Sequence, residues 1–464
     1  MTSRHFDFSF VQPLLDADAR LTRRQVLQRG AMLGISIPAV AGLLAACGGD
    51  DDEEELEELG EPTPEEPVQD ETDDEPDDGP EPTAEIEDDD SEPEESDEPD
   101  EDGEPDEVVE TDEPQLPDGE PERPQSDQLA YGFNIAWRGD EDGDQFNEWT
   151  RQALDTAGFN WIRFQTHWSE IQREPDWMDP LPLDRMIDGY DGTDIRILVS
   201  VVGVPDWARH PDDIQLLENW ESFGDFMAFL ADRYRGRVHA WEIWNEQNMA
   251  HEMHGTVRIS DYAYLLSAGF QGVKDGDPDA LVVFGGLTPT GVNDPAIAVN
   301  DVDYLREFYT FEEGAYREFF DIMGAHLNAT NNPPDTSYPD NPGPGEWSDH
   351  SSFYFLRGVD LRAVMDEFGD ERPMWVTEFG WTTENQAEGY EYGADVTEED
   401  QANYLVGSFD VAREQMPWIT GMFVWNLNFT TITPPEDEKY PWSVLNADWS
   451  PRPAYTALQQ MPKP

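Results

Sequence analysis

The chain of 464 residues has one cysteine, eight histidines and three lysines, Lys274, Lys439 and Lys463. A single thiol, Cys47, excludes a disulfide within the chain. So few histidines, with no clustered cysteine, leave no metal-ligating cluster to expect; His326 stands alone and is not expected to bind metal. The formal net charge is -77, from 104 acidic against 27 basic residues. A polyanion would be repelled, so nucleic acid is excluded as a partner. No apolar stretch is long and uninterrupted enough to span a bilayer as a mature helix.

What is present divides the chain into three. Thr22-Arg23-Arg24-Gln25-Val26-Leu27 precedes an apolar run, Ala31 to Ala46, broken by Gly34 and Pro38. Such an arrangement reads as a signal peptide over 1–46. The paired arginines resemble a twin-arginine export signal. Leu44-Ala45-Ala46-Cys47 resembles a lipobox, which implies lipidation of Cys47 and a membrane anchor on an exported, cell-surface lipoprotein. Residues 47–126 follow. From Asp50 to Ser126 there are 41 acidic residues, one base (Arg123) and 13 prolines. Low hydrophobicity and self-repulsion cannot offset the ordering entropy, so this stretch is expected to be a disordered, extended spacer.

Residues 127–464 carry nearly all the aromatics and form the one segment able to bury a large core. Even here 60 Asp and Glu face 21 Lys and Arg. A surface so acidic suits high salt, where screening shortens the Debye length to about 3 Å at 1 M. The expectation is a halophilic protein.

Short apolar runs alternate with helical stretches over this segment, the pattern of repeated βα units. Eight strands are expected: Ala130 to Trp137, Trp161 to Gln165, Arg196 to Val202, Ala240 to Trp244, Leu281 to Gly285, Ile322 to His326, Met374 to Thr377 and Gly421 to Trp425. Helices are expected between them, as at Asn219 to Tyr234 and Tyr262 to Lys274. Eight βα units predict an α/β fold, a (β/α)8 TIM barrel with its active site at the carboxyl ends of the strands.

Two glutamates fall at those ends, Glu246 at the fourth strand and Glu378 at the seventh. Polar and aromatic residues gather at the same ends: Trp137, His167, Trp168, Trp207, His326, Trp381 and Trp425. Two carboxylates across an aromatic-walled pocket are the minimum apparatus for cleaving a glycosidic bond, one as proton donor and the other as nucleophile or base. Three function classes follow: a glycosidase acting on a poly- or oligosaccharide, a glycan-binding surface lipoprotein without catalysis, and a structural envelope protein. Intact Glu246 and Glu378 favour the first.

Trp244-Asn245-Glu246 and Thr377-Glu378-Phe379-Gly380-Trp381 resemble the acid/base and nucleophile motifs of clan A glycoside hydrolases. Trp161-Ile162-Arg163-Phe164, Val204-Pro205-Asp206-Trp207-Ala208, Tyr234-Arg235-Gly236 and Pro451-Arg452-Pro453-Ala454-Tyr455 add to the likeness, which covers roughly 130 to 460 and is greatest to the family 39 and family 5 types. The resemblance implies a retaining (β/α)8 enzyme without a cofactor. Glu246 would be its acid/base, Glu378 its nucleophile and Asn245 a partner of the sugar 2-hydroxyl. Arg163 would orient the nucleophile and Trp425 would stack on the sugar. These barrels commonly carry His-x-Tyr after strand six; here the residues are His326-Leu327-Asn328. The insert Asn331 to Ser348 is expected to shape the cleft beside it.

Overall fold

The computed structural model describes residues 129–463, apart from 139–142, 213 and 386. The signal peptide, Cys47 and the acidic spacer lie outside the described residues.

Eight parallel strands form one sheet: β1 (Ala130–Asn134), β2 (Trp161–His167), β3 (Arg196–Val202), β4 (Ala240–Ile243), β5 (Leu281–Phe284), β6 (Met323–His326), β7 (Met374–Phe379) and β8 (Ile419–Val424). Each pairs with its neighbour in sequence, and β1 pairs with β8. Parallel bridges Val283–Ile322 and Leu287–Ala325 join β5 to β6 and close the sheet into a barrel. The eight strands fall where the apolar runs predicted them, with ends shifted by a few residues.

Helices return the chain between strands, among them Gly143–Ala157, Glu221–Arg233, Ile259–Gly276, Asp301–Thr310, Arg357–Glu367 and Glu398–Gln415. The two expected from periodicity, 219–234 and 262–274, are Glu221–Arg233 and Ile259–Gly276. Thr397 starts the last of the six with a capping box: its hydroxyl accepts from the Asp400 amide while the Asp400 carboxylate accepts from the Thr397 amide.

The barrel interior explains where the polar chemistry can sit. Ala130, Trp161, Leu198, Ala240, Val283, Ile322, Trp375 and Phe423, one from each strand or its first flanking residue, form a separate buried apolar cluster. This layer is packed tightly. A Cβ on Gly132 would stand 2.2 Å from the Phe423 ring, and one on Gly421 2.7 Å from Trp375. The two glycines therefore make room for the large rings. Side chains alternate along a strand, so the next inward position lies two residues on. From Trp161 that step reaches Arg163, from Leu198 Ser200, from Ala240 Glu242 and from Trp375 Thr377. All four are fully buried. An apolar floor thus carries a polar layer above it, toward the carboxyl ends of the strands.

Candidate active site

Arg163 organises that polar layer. Its Nη1 donates to Glu378 Oε1 at 2.7 Å and to Asn134 Oδ1 at 2.8 Å. Nη2 donates to Asn245 Oδ1 at 2.8 Å, and Nε donates to Glu242 Oε2 at 2.7 Å. Nη2 also stands 2.7 Å from Glu242 Oε2. The guanidinium is wholly buried, and a rigid fork of five donors is the side chain suited to so many acceptors at once. Burial works against its charge, but Glu242 and Glu378 outweigh burial and hold it cationic. Asn134 is fixed in turn: its Nδ2 donates to the carbonyls of Thr377, at 2.9 Å, and Phe423, at 3.3 Å.

Glu378 lies on β7 itself, with its side chain 8% exposed. Glu246 lies three residues beyond β4, with its side chain 21% exposed. The backbone reaches Glu246 through left-handed conformations at Trp244 (φ 72) and Glu246 (φ 47). Such φ values are costly in residues with a Cβ, about 1–3 kcal/mol each, and persist only where surroundings hold them. Here the Trp244 amide donates to Val201 O at 3.0 Å, and its buried indole Nε1 donates to Glu252 O at 3.2 Å. The Glu246 amide donates to Gly286 O at 3.0 Å, and Gln247 Nε2 to Gly285 O at 2.7 Å. The turn is therefore pinned on both sides of the glutamate.

His326, the last residue of β6, stands between the two glutamates. Its Nδ1 is 2.9 Å from Glu246 Oε1, and its Nε2 is 3.7 Å from Glu378 Oε1 with no hydrogen-bond partner. One oxygen from each glutamate and one ring nitrogen all lie within 4.8 Å of one another. Three such ligand atoms could also meet a cation, but Arg163 already supplies positive charge directly against Glu378. Gly286 makes space for the imidazole: a Cβ there would stand 2.3 Å from His326 Cδ2 and 2.7 Å from Thr377 Oγ1.

These neighbours set the proton affinities. Burial pushes the Glu378 carboxyl above the usual carboxylate range; His326 and Arg163 oppose it, while Glu246 and Glu242 add to it. Burial would also raise Glu246, but the hydrogen bond and charge of His326, with His251 adding, hold it below that range. Burial would lower His326, yet Glu378 and Glu246 outweigh it and raise the imidazole. His326 and Glu246 thus each favour the charged form of the other, and they share one proton across the 2.9 Å contact.

The other sequence candidates divide. Asn245 joins the Arg163 network through its oxygen. Trp425, directly after β8, is half-buried; its amide donates to Phe379 O at 2.8 Å, which sets it beside the residue following Glu378. His167 ends β2 exposed, its Nδ1 against Gly203. Trp168 and Trp381 are not brought to the site. Trp168 is a core residue, stacked on Phe226 and donating from Nε1 to Gln172 at 2.8 Å. Trp207 packs edge-on against Trp168 and donates to Gln172 O at 2.9 Å. Trp381, wholly buried, donates to Asn332 O at 2.9 Å and so anchors the start of the insert after β6.

Sequence reading overlooked Glu242 and Asn134. Glu242 was detectable, since it follows Ala240 by two on a strand whose alternate positions face inward.

No family model matches the chain, and no curated protein matches it in sequence. Solved structures share its fold. A family 39 glycoside hydrolase from the gut symbiont Bacteroides cellulosilyticus WH2 is 19% identical, with TM-score 0.51, over 72% of this chain and 63% of that one. A monomeric β-xylosidase from Caulobacter crescentus CB15 is 15% identical, with TM-score 0.50, over 72% and 67%. A GH5_18 structure from Bifidobacterium longum subsp. infantis is 12% identical, with TM-score 0.51, over 72% and 78%. The chain spans 63% of the length of the family 39 structure. At these identities the likeness is one of fold, the eight-stranded parallel barrel.

Proposed function

We propose that the chain is a retaining glycoside hydrolase of the clan A type, with Glu378 as nucleophile and Glu246 as acid/base. One observation carries this reading: carboxylate oxygens of Glu246 and Glu378 lie within 4.8 Å of each other, at the end of the barrel where such folds hold their sites. Retaining enzymes set the two carboxyls about 5–5.5 Å apart, whereas inverting enzymes leave about 6.5–9.5 Å for a water.

Ionised Glu378, fixed by Arg163, attacks the anomeric carbon as the bond to the leaving oxygen breaks. Glu246 gives that oxygen a proton. The glycosyl ester at Glu378 is then cleaved by water, which passes a proton back to Glu246. In the resting site Glu246 shares a proton with His326, 2.9 Å away, while burial raises Glu378, so the nucleophile loses its own proton to solvent before it attacks. A sugar seated over the pair excludes water, and the proton shared by His326 and Glu246 supplies the acid. Esterification of Glu378 removes a negative charge nearby, which favours ionised Glu246 as the base for the second step. Asn245 reaches the sugar 2-hydroxyl, and Trp425 offers a stacking face. His167 and Trp207 line the outer cleft.

The experiment is the stereochemistry of the first-formed product, followed by proton NMR on a hydrolysed polysaccharide. Retention of anomeric configuration is expected; inversion would overturn the mechanism. We further propose export by the twin-arginine route and anchoring through lipidated Cys47, with residues 47–126 as spacer. Metabolic labelling with a radiolabelled fatty acid tests this, with loss of label in Cys47→Ala expected.

A further inference from the structure

Three lysines occur in the chain, and two serve the amino-end face of the barrel. Lys274 Nζ donates to Ala280 O and Asp321 Oδ2, both at 2.8 Å, just before β5 and β6. Lys463 Nζ donates to Leu458 O at 2.7 Å and lies 5.2 Å from the Phe159 ring, just before β2. Lys439 is placed at the other end. Its carbonyl accepts from Asn426 Nδ2 at 3.1 Å, and Asn426 directly follows Trp425. The carbonyl of Glu438 accepts from Asn385 Nδ2 at 3.0 Å, on the loop after β7. Both asparagines are buried, so two fixed amides clamp adjacent carbonyls beside the strand ends that carry Glu378 and Trp425.

The clamped side chains stay accessible, Lys439 at 41% and Glu438 at 28%, with Nζ 3.2 Å from Glu438 Oε1. Burial raises the phenol of the half-buried Tyr390, and its ring lies close enough to Glu438 for that carboxylate to raise it further. Lys439 and Glu438 fall within electrostatic range of Glu378, and Tyr390 within range of Glu246. A carboxylate accepts, an ammonium donates, and adjacent ring hydroxyls of a sugar can do both.

We infer that Glu438 and Lys439, supported by Tyr390, form a hydroxyl-reading subsite for a neutral sugar ring resting on Trp425. This rests on the glycosidase reading and adds a substrate class to it. Charge decides against an acidic sugar. Glu242, Glu246, Glu378, Asp437 and Glu438 gather here against three cations: Arg163 is committed to protein acceptors, His326 to Glu246 and Glu378, and Lys439 to Glu438. A uronic acid would bring a further carboxylate into that field.

The test uses the full chain in multimolar KCl on neutral polysaccharides (β-glucan, xylan, mannan, galactan) and uronic-acid polymers, with reducing-end release as readout. Hydrolysis of a neutral polymer over the uronic ones is expected. On that polymer Glu438→Gln and Lys439→Met should each raise KM about tenfold, as for loss of a hydrogen bond to a charged group, with kcat little changed. Thermal melting of both variants separates this from misfolding. Preference for a uronic polymer, or wild-type KM in both variants, overturns the subsite. A folded wild-type chain that hydrolyses nothing overturns the glycosidase reading itself, and this inference with it.

Discussion

Nδ1 of His326 stands 2.9 Å from Oε1 of Glu246, inside a site that also buries Glu378. The contact makes the two carboxyls unequal, lowering Glu246 while burial raises Glu378. The acid limb of kcat/KM reports ionisation of Glu378, because the nucleophile must lose its proton. A raised carboxyl moves that limb above the ordinary carboxylate range. The alkaline limb reports loss of the proton held by His326 and Glu246. His326 is raised, so that limb lies above the ordinary histidine value. His326→Asn should remove the proton store and shift the alkaline limb. A pH–rate profile of both proteins checks it.

Arg163 is the cation on which the polar layer closes. Arg163→Met leaves Glu242 and Glu378 buried without their partner. Breaking a buried pair from one side costs about 3–5 kcal/mol, so denaturant unfolding in high salt should show a loss of that size. Arg163→Lys restores the charge but not the fork. It should recover part of the stability while kcat/KM stays at least about tenfold low.

The roles of the two glutamates separate by leaving group. An activated aryl leaving group needs no proton, so Glu246→Gln should lose far less in the first step on an aryl glycoside than on a polysaccharide. On the polysaccharide, about a hundred- to ten-thousandfold is expected, the usual range for general acid catalysis. Glu378→Gln should lose both activities alike. Burst kinetics on the two substrates distinguish the variants.

Gly286 is required for space. In Gly286→Ala the new Cβ meets the His326 ring, and the imidazole must leave Glu246. Displacement of about 1 Å at a reacting group costs on the order of a hundredfold in rate, and overpacking so buried a site lowers stability by about 1–3 kcal/mol. Its pH profile should match that of His326→Asn.

Sixty acidic against 21 basic residues over 127–464 predict salt-dependent stability. The melting temperature should rise from 0.15 M to 1 M KCl, as the Debye length falls from about 8 to about 3 Å. A scanning fluorimetry series checks this; a flat response excludes the halophilic reading.

The barrel was legible because strands buried on both faces read as continuous apolar runs, and each run in the sequence corresponds to a strand. The structure brings Glu246, Glu378, Asn245 and Arg163 together for a related reason: Arg163 and Glu378 lie on β2 and β7, and Asn245 and Glu246 directly follow β4, where position along the chain fixes position in space. Trp168 and Trp381 were misread because a tryptophan near a strand end can face outward into the helix layer or anchor a loop as well as line the cleft. Burial of 0% for both is a property of tertiary packing, not of spacing. Glu438, Lys439 and Tyr390 had no periodic signal, since they come from irregular loops. Asn385 and Asn426 hold the carbonyls of Glu438 and Lys439, a tertiary contact that no spacing in the sequence announces.

The most direct test compares the full chain with Glu378→Gln, both in multimolar KCl, on the polysaccharide panel by reducing-end release. Hydrolysis of at least one polysaccharide by the wild type, abolished in Glu378→Gln with its melting temperature kept, is the predicted result. Equal hydrolysis by the variant, or none by a folded wild type, would contradict the account.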